Sequence, residues 1–218
     1  MPRKLKSAAR KSRRNRNMVL AIGLLAVVVV AIVVFFVFGQ SSPSNNNSTG
    51  LTDDNNGTSS NGPTKVLLQT SMGNITIQLR DDMPITAANF KNLVQEGTYD
   101  GTIFHRVIDD FMIQGGDPTG TGFGDPSIPN IEDEFSSNST NNRNKRGTIA
   151  MANTGQPNSG SSQFFISVVY NSHLDNKHPV FGDVIEGMDV VDAISKVATD
   201  ASDKPLQNVT IIKAEILS

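Results

Sequence analysis

An apolar run from Val19 to Phe38, without a single charged residue, divides the chain into two parts of different character. Twenty residues of helix span about 30 Å, the thickness of the hydrocarbon core of a bilayer. A soluble core of this size has no use for a helix that is apolar on every side. The sequence therefore predicts one transmembrane helix, over residues 18–39.

The charges on the two sides of this run predict its orientation. Residues 1–52 hold eight Lys or Arg and no acid, whereas residues 53–218 hold 11 Lys or Arg and 21 Asp or Glu, a net charge of −10. By the positive-inside rule, residues 1–17 form a basic cytoplasmic tail and the rest lies outside. A single-pass protein of the cell membrane is expected. Binding to nucleic acid would be another use of a basic tail, but orienting the helix is a sufficient role.

A cleaved signal peptide is the alternative to this signal-anchor. The apolar run exceeds the roughly 7–15 residues of a signal-peptide core, and the sequence Phe38-Gly39-Gln40-Ser41 does not match an Ala-x-Ala cleavage site. The chain has no cysteine, which excludes a lipid-modified cysteine anchor and is compatible with an oxidising exterior.

Residues 40–63 consist mostly of Ser, Asn, Thr, Gly and Asp. Such a segment cannot bury enough apolar surface to offset its ordering entropy, so it is predicted to be a flexible linker. Asn-x-Ser/Thr sequons occur at six positions, three in the linker and three beyond it: Asn46, Asn47, Asn56, Asn74, Asn138 and Asn208. In an Asn-rich chain such matches arise by chance, so glycosylation stays open.

Residues 64–218 are predicted to form one folded, mainly β domain. Alternating or β-branched runs predict strands at residues 65–70, 74–79, 103–108, 112–114, 148–151, 164–167, 180–184 and 209–216. Apolar stripes at helical spacing predict one helix between Pro84 and Gly97 and a second from Met188 to Val197. Short strands at regular spacing favour a closed antiparallel β-barrel over a parallel sheet. Gly120 to Gly124 lacks the glycine spacing of a nucleotide-binding loop and is expected to be a mobile surface loop.

The chemistry is expected where two of these strands meet. Phe104-His105-Arg106-Val107-Ile108 is followed by a turn and then by Met112-Ile113-Gln114. Alternate side chains of antiparallel neighbours share a face, so Arg106, Met112 and Gln114 can come together. An arginine and a glutamine beside apolar groups can hold a substrate carbonyl while an apolar group of the substrate sits next to it.

Two further blocks complete a pattern. One runs from Gly147 to Asn153 and continues at Ser162-Gln163-Phe164-Phe165-Ile166; the other runs from His173 to Gly182. In this order and spacing the three blocks resemble the cyclophilin-type peptidyl-prolyl cis-trans isomerases, from about Lys65 onwards. The resemblance implies an eight-stranded barrel with a helix capping each open end. It also implies an enzyme (a rotamase) that turns Xaa-Pro peptide bonds without a cofactor.

The resemblance also implies roles for single residues. The catalytic set would be Arg106, Phe111 and Gln114. The substrate-binding set would be His105, Met112, Ala152, Asn153, Gln163, Phe165, His173, Leu174 and His178. From pattern alone the apolar members fit an ordinary core and Arg106 fits a surface position, but the joint presence of all three blocks favours the pocket. The three histidines lack the spacing of metal ligands, so no metal is expected.

The sequence departs from the family pattern at several positions, and the departure with a functional consequence is His173. His173 stands where many eukaryotic cyclophilins carry a tryptophan that helps to hold cyclosporin, so weak binding of the drug is expected. The function predicted is isomerisation of Xaa-Pro bonds in exported or envelope polypeptides, which assists their folding. The alternatives are a non-catalytic proline-peptide-binding or holdase module, and a structural envelope protein.

Overall fold

The computed structural model describes residues 62–217, which form a mainly β domain with two α-helices, as predicted. The strands are β1 (Lys65–Thr70), β2 (Gly73–Leu79), β3 (Arg106–Ile108), β4 (Met112–Gly115), β5 (Thr148–Met151), β6 (Phe164–Ser167), β7 (Val180–Glu186) and β8 (Ile211–Leu217). The helices are α1 (Pro84–Gln95) and α2 (Met188–Ser195). Two short 3-10 turns lie at Ser139–Asn142 and Ser172–Leu174.

All eight strands belong to one curled sheet, in the order β3-β4-β6-β5-β7-β2-β1-β8, and every pair is antiparallel. The structure supports a curled eight-stranded sheet but does not show the closed barrel that was expected, because within residues 62–217 no ladder joins the edge strands β3 and β8. Strand β3 has only three residues. The segment before it, predicted to extend the strand, instead makes an isolated bridge from Ile103 to Thr210.

The hairpin of β1 and β2 shows why the sequence folds in this way. Val66 and Leu68 alternate with more exposed residues and are fully buried, as are Ile75 and Ile77 in β2. A period of two places these side chains on the inner face of the sheet. The turn leads into Gly73, the first residue of β2, where φ is +135° and a Cβ would lie 2.7 Å from Val190 Cγ2, so the position requires glycine.

Helix α1 begins at Pro84, as its sequence predicted, and is held there by a distant carboxylate. Glu134 accepts hydrogen bonds from the backbone N–H groups of Ile85 (3.1 Å) and Thr86 (2.8 Å). Pro84 has no N–H, and Glu134 satisfies the next two free donors of the first turn. No local sequence pattern indicates this cap, because Glu134 lies 48 residues from Thr86.

The sheet carries apolar clusters on both faces. The inner face and the helices bury the main core, including five fully buried aromatic rings: Phe90, Tyr99, Phe104, Phe164 and Phe181. A smaller cluster packs separately and consists of Met112, Ala150, Phe165 and Val180, with Ile108, Phe111, Ala152 and Leu174 partly buried against it. The smaller cluster marks the position of the candidate site.

The predicted cytoplasmic tail (residues 1–17), transmembrane helix (18–39) and nearly all of the linker (40–63) lie outside the described residues. Within residues 62–217, neither helix is long and apolar enough to cross a membrane.

Candidate active site

A row of register partners crosses four strands at the site. Arg106 of β3 faces Gln114 of β4, Gln114 faces Phe165 of β6, and Phe165 faces Ala150 of β5. Directly opposed residues of antiparallel strands project on the same face. The row therefore places a cation, an amide and an apolar ring side by side, as the sequence predicted for Arg106 and Gln114.

The apolar part of the site consists of Phe111, Met112, Phe165 and Leu174, which together are called the apolar notch. Met112 and Phe165 are only 2% and 4% exposed, while Phe111 and Leu174 are half-buried at the surface. All four belong to the smaller cluster rather than to the main core. Two of these side chains are thus buried and two are half-exposed, and together they offer an apolar surface against which a small apolar ring can pack.

Two histidines pack against the rings of the apolar notch. His173 stacks on Phe111 with ring centroids 5.5 Å apart, and His178 meets Phe165 edge to face at 5.3 Å. His178 is further fixed because its Nδ1 donates a hydrogen bond to the carbonyl oxygen of Met151 at 3.1 Å. Both rings therefore lie beside the apolar notch, and the sequence prediction had placed His178 at the edge of the pocket.

Arg106 lies opposite Gln114 in the register, and within residues 62–217 most of its donors have no partner. Its Nε donates to Asp203 Oδ2 at 3.4 Å, and both side chains are 43% exposed, so the ion pair is weak. Its two terminal nitrogens meet no acceptor within residues 62–217. Asp203 was not predicted from the sequence. It lies next to Arg106 because the N–H of Val107 donates to the carbonyl oxygen of Asp203 at 2.8 Å.

A chain of amides lies beside Arg106. Gln114 Nε2 donates to Gln163 Oε1 at 3.0 Å, and Gln163 Nε2 donates to the carbonyl oxygen of Gly122 at 3.1 Å. This chain fixes both glutamine side chains and leaves Gln114 Oε1 without a donor in the described part of the protein. The free oxygen lies on the face that carries Arg106 and can accept an N–H from a bound peptide.

A side groove of about 810 Å³ continues from these amides. Four of the predicted site residues line it: Gln114, Ala152, Asn153 and Gln163. Asn153 Nδ2 donates to the carbonyl oxygen of Lys177 at 2.9 Å, and Asn153 Oδ1 accepts from the N–H of Gly155 at 3.1 Å. The loop that forms one wall of the groove is therefore held by this side chain.

His105, predicted to bind substrate, lies mostly inside the protein. It is 8% exposed, and its Nδ1 is buried without a hydrogen-bond partner. Burial lowers its pKa, an effect that the negative charge of Asp117 partly opposes. Its ring packs beneath the loop at Gly122, since a Cβ at Gly122 would lie 3.3 Å from His105 Cδ2.

Asp117 is a residue of this region that the sequence prediction missed. It is fully buried and accepts hydrogen bonds from the backbone N–H groups of Thr119, Thr121, Gly122 and Gly124. Burial alone would raise its pKa, but these bonds outweigh burial, and the pKa is lowered. The surface loop predicted at residues 120–124 is therefore tied to one ionised carboxylate.

The family model described as "Cyclophilin type peptidyl-prolyl cis-trans isomerase/CLD" matches residues 65–216 of this chain. The chain belongs to the cyclophilin family. Relatives that are 41–48% identical to this chain bear the names of peptidyl-prolyl cis-trans isomerases. "Peptidyl-prolyl cis-trans isomerase ppi1" of Schizosaccharomyces pombe is 48% identical over 153 residues, which cover 70% of this chain and 98% of the relative.

Two further relatives of this cyclophilin support the same assignment. "Peptidyl-prolyl cis-trans isomerase-like 1" of Homo sapiens is 44% identical over 153 residues, covering 70% of this chain and 92% of the relative. The crystal structure of a cyclophilin type peptidyl-prolyl cis-trans isomerase from Cryptosporidium parvum, in the presence of the dipeptide Ala-Pro, superposes with a TM-score of 0.66. It shares 33% identity and covers 71% of this chain and 99% of that one.

The pH dependence of this cyclophilin's stability is expected to follow its two partly buried histidines. Burial lowers the pKa of both His105 and His178 from the ordinary value of 6.5. Just below about pH 6.5, these histidines are protonated more readily in the unfolded chain than in the folded protein. The stability that is present above about pH 6.5 is therefore lost as the pH falls. We expect a lower Tm by circular dichroism at about pH 5.5 than at about pH 7.5.

Variants separate the contribution of these rings from that of other groups. In the double variant His105→Gln, His178→Gln, the difference in Tm between the two pH values should shrink, while His173→Gln, which changes an exposed ring, should leave it as in the wild type. An unchanged difference in the double variant would show that other groups cause the pH dependence.

Proposed function

We propose that this cyclophilin catalyses the rotation of Xaa-Pro peptide bonds in polypeptides outside the cytoplasm and so assists their folding. The observation that supports the proposed site is the row of Arg106, Gln114 and Phe165 across three neighbouring strands. It places a permanent cation and a free amide oxygen next to an apolar notch in a protein whose named relatives are isomerases.

The reaction needs neither a nucleophile nor a metal. An Xaa-Pro amide resists rotation with a barrier of about 18–20 kcal/mol, because its C–N bond has partial double-bond character. A catalyst must favour the twisted amide over both planar forms. In the twisted form the nitrogen becomes pyramidal and basic, so a nearby cation stabilises it. Each 1.4 kcal/mol or so of this selective stabilisation gives a tenfold increase in rate.

Arg106 suits this task because a guanidinium stays charged and offers several donors in one plane. Its Nε is directed towards Asp203, and the two terminal nitrogens remain for a substrate carbonyl and the proline nitrogen. The notch of Phe111, Met112, Phe165 and Leu174 would hold the proline ring. The other predicted contacts to the substrate would come from Gln114, Ala152, Asn153, Gln163, His105, His173 and His178.

Activity is tested with the full chain and a peptide that contains one Xaa-Pro bond. We expect the cis–trans relaxation of the peptide, followed by NMR exchange, to be accelerated in proportion to enzyme concentration. Peptide binding without acceleration would favour the alternative of a non-catalytic binding module, and neither binding nor acceleration would favour a structural role.

We also propose that cyclosporin binds weakly. His173, in place of the tryptophan found in many eukaryotic relatives, offers a smaller ring than an indole.

The proposed location rests on the sequence. Residues 1–17 would remain in the cytoplasm, residues 18–39 would cross the cell membrane as an uncleaved anchor, and residues 40–63 would tether the isomerase domain, residues 64–218, outside. Exported and envelope polypeptides are the clients to which such an enzyme would have access.

Fractionation of the source cells, combined with protease treatment of intact cells, tests this location. We expect the full-length chain in the membrane fraction, and we expect external protease to shorten it by removing the domain while an N-terminal epitope tag stays protected. Recovery of the intact chain in the soluble fraction would contradict the anchor. Protection of the domain in intact cells would contradict its orientation.

A further inference from the structure

The side groove next to the apolar notch carries an aromatic ring in an unusual setting. Phe123 lines this groove and is 96% exposed, more than any other large apolar side chain of the described residues. A single exposed apolar residue on a protein surface is ordinary. What distinguishes Phe123 is that its backbone is fixed on both sides.

The loop around Phe123 is held by the buried carboxylate of Asp117. Asp117 Oδ2 accepts from the N–H groups of Gly122 (2.7 Å) and Gly124 (3.2 Å), which are the two neighbours of Phe123. The N–H of Phe123 itself donates to Thr121 Oγ1 at 3.2 Å. Both glycines have positive φ, +85° and +80°, conformations that other residues rarely adopt. The ring is thus presented to solvent by an ordered backbone.

The same groove contains one charged side chain, Asp125, and no Lys or Arg. Asp125 Oδ1 accepts from the N–H (2.8 Å) and the hydroxyl (2.7 Å) of Ser127, and these bonds lower the pKa of the carboxyl. Its other oxygen, Oδ2, meets no donor within residues 62–217. An ionised carboxylate with a free oxygen therefore lies in the groove together with an open aromatic face.

We propose that this groove binds a cationic side chain of the client, Lys or Arg, close to the Xaa-Pro bond that is being turned. The inference rests on the proposed function and specifies its substrate class. An ammonium or guanidinium group is attracted by the face of an aromatic ring and by a free carboxylate oxygen. Residues 62–217 carry 11 basic and 19 acidic side chains, a net charge of −8, which also favours the approach of cationic clients.

The position of the groove fits such a role. Gln114 and Gln163 belong to the amide chain beside Arg106 and also line the groove. A peptide whose proline occupies the notch passes these amides, so a residue two or three positions from the proline comes within reach of Phe123 and Asp125. A client with a neutral side chain at that position lacks both the attraction to the ring of Phe123 and the attraction to the carboxylate of Asp125.

The experiment compares matched peptides with the full-length enzyme. Each peptide has one Xaa-Pro bond and carries Lys, norleucine or Glu two or three residues before or after the proline. Norleucine keeps the apolar stem of Lys without its charge. At the position that reaches the groove, we expect kcat/KM for Lys to exceed that for norleucine by about threefold to tenfold, with Glu lowest. The preference should diminish in about 1 M salt, since salt screens exposed charges.

Two variants show whether the groove is the source of the preference. Phe123→Leu retains an apolar side chain but removes the ring face, and Asp125→Asn retains the oxygen that caps Ser127 but removes the charge. Each should reduce the ratio of kcat/KM for Lys to that for norleucine. Asp189→Asn, which removes an exposed acid from helix α2 outside the groove, should leave both the ratio and the activity unchanged.

The outcomes distinguish this inference from the proposed function. If the wild type isomerises the Lys and norleucine peptides equally well at every position of the substituted residue, the inferred cation preference is wrong and the isomerase function stands. If the preference persists in both groove variants, or is lost equally in Asp189→Asn, it does not come from this groove. If no peptide is turned, the proposed function fails and this inference fails with it.

Discussion

Replacing Arg106 by alanine is expected to lower kcat/KM for a proline peptide by about 100-fold to 1000-fold, the loss found when one preorganised donor to a transition state is removed. The substitution removes the one cation of the row that crosses β3, β4 and β6. Stability should hardly change. Arg106 is 43% exposed and its ion pair with Asp203 is long, so we expect a change of less than about 1 kcal/mol in the free energy of unfolding.

Two further variants identify the property of Arg106 that matters. Arg106→Lys keeps the charge but loses the planar set of donors, and we expect it to retain part of the activity. Arg143→Ala removes an exposed arginine away from the site and should be as active as the wild type. The peptide relaxation assay measures all three, with circular dichroism as the check on folding. Wild-type kcat/KM in Arg106→Ala would rule out the proposed mechanism.

Replacing Phe164 by alanine is expected to cost about 3–5 kcal/mol in the free energy of unfolding. Phe164 is fully buried and packs against Phe90, Tyr99 and Phe104, with centroid distances of 5.5, 5.6 and 6.4 Å. Its removal leaves a cavity where the ring edges meet. Since a domain is typically stable by only about 5–15 kcal/mol, the loss takes a large share of the total.

Phe123→Ala is the matched control for this prediction, because it makes the same chemical change at a ring that is 96% exposed. Urea unfolding of the three proteins should show a large decrease in midpoint for Phe164→Ala and almost none for Phe123→Ala. Similar midpoints for the two variants would mean that the aromatic cluster does not contribute as its burial indicates.

The sequence predicted well those parts of the fold in which the local pattern of residues and the tertiary packing agree. The alternation of Ile75, Ile77 and Leu79 predicted β2 because each of these side chains is buried on one face. Pro84 marked the start of α1 correctly. Helix α2 ends at Ser195, two residues before the predicted end, because the N–H of Val197 bonds to the carbonyl oxygen of Ile194 in a tighter turn.

The edge of the sheet could not be predicted in this way. The apolar and β-branched character of residues 103–108 favoured a single strand, but Ile103 forms isolated bridges to both Asp117 and Thr210. Its backbone is used to connect two distant segments rather than to extend β3. No local sequence pattern predicts these bridges, because they depend on where distant segments of the chain lie.

The candidate site shows the same division. Neighbouring strands brought Arg106, Met112 and Gln114 together as expected, since register follows from a short turn. Asp203 and Arg106 are 97 positions apart, and their contact depends on a backbone bond made elsewhere. In the sequence Asp117 looked like an ordinary loop residue. The Thr and Gly residues that follow it nevertheless supply the backbone N–H groups that its carboxylate accepts. That cluster of donors was the one signal in the sequence that could have identified it.

Strand β1 is paired on one side with β2, its neighbour in sequence, and on the other with β8, where Lys65 faces Leu217. The second pairing joins the first and last strands of the domain, so a polypeptide synthesised in order cannot complete its sheet until the final segment is available. Until then the free edge of β1 can pair with foreign strands. During its synthesis this cyclophilin thus passes through an interval in which β1 has an unpaired edge, and that interval ends only when β8 pairs with it.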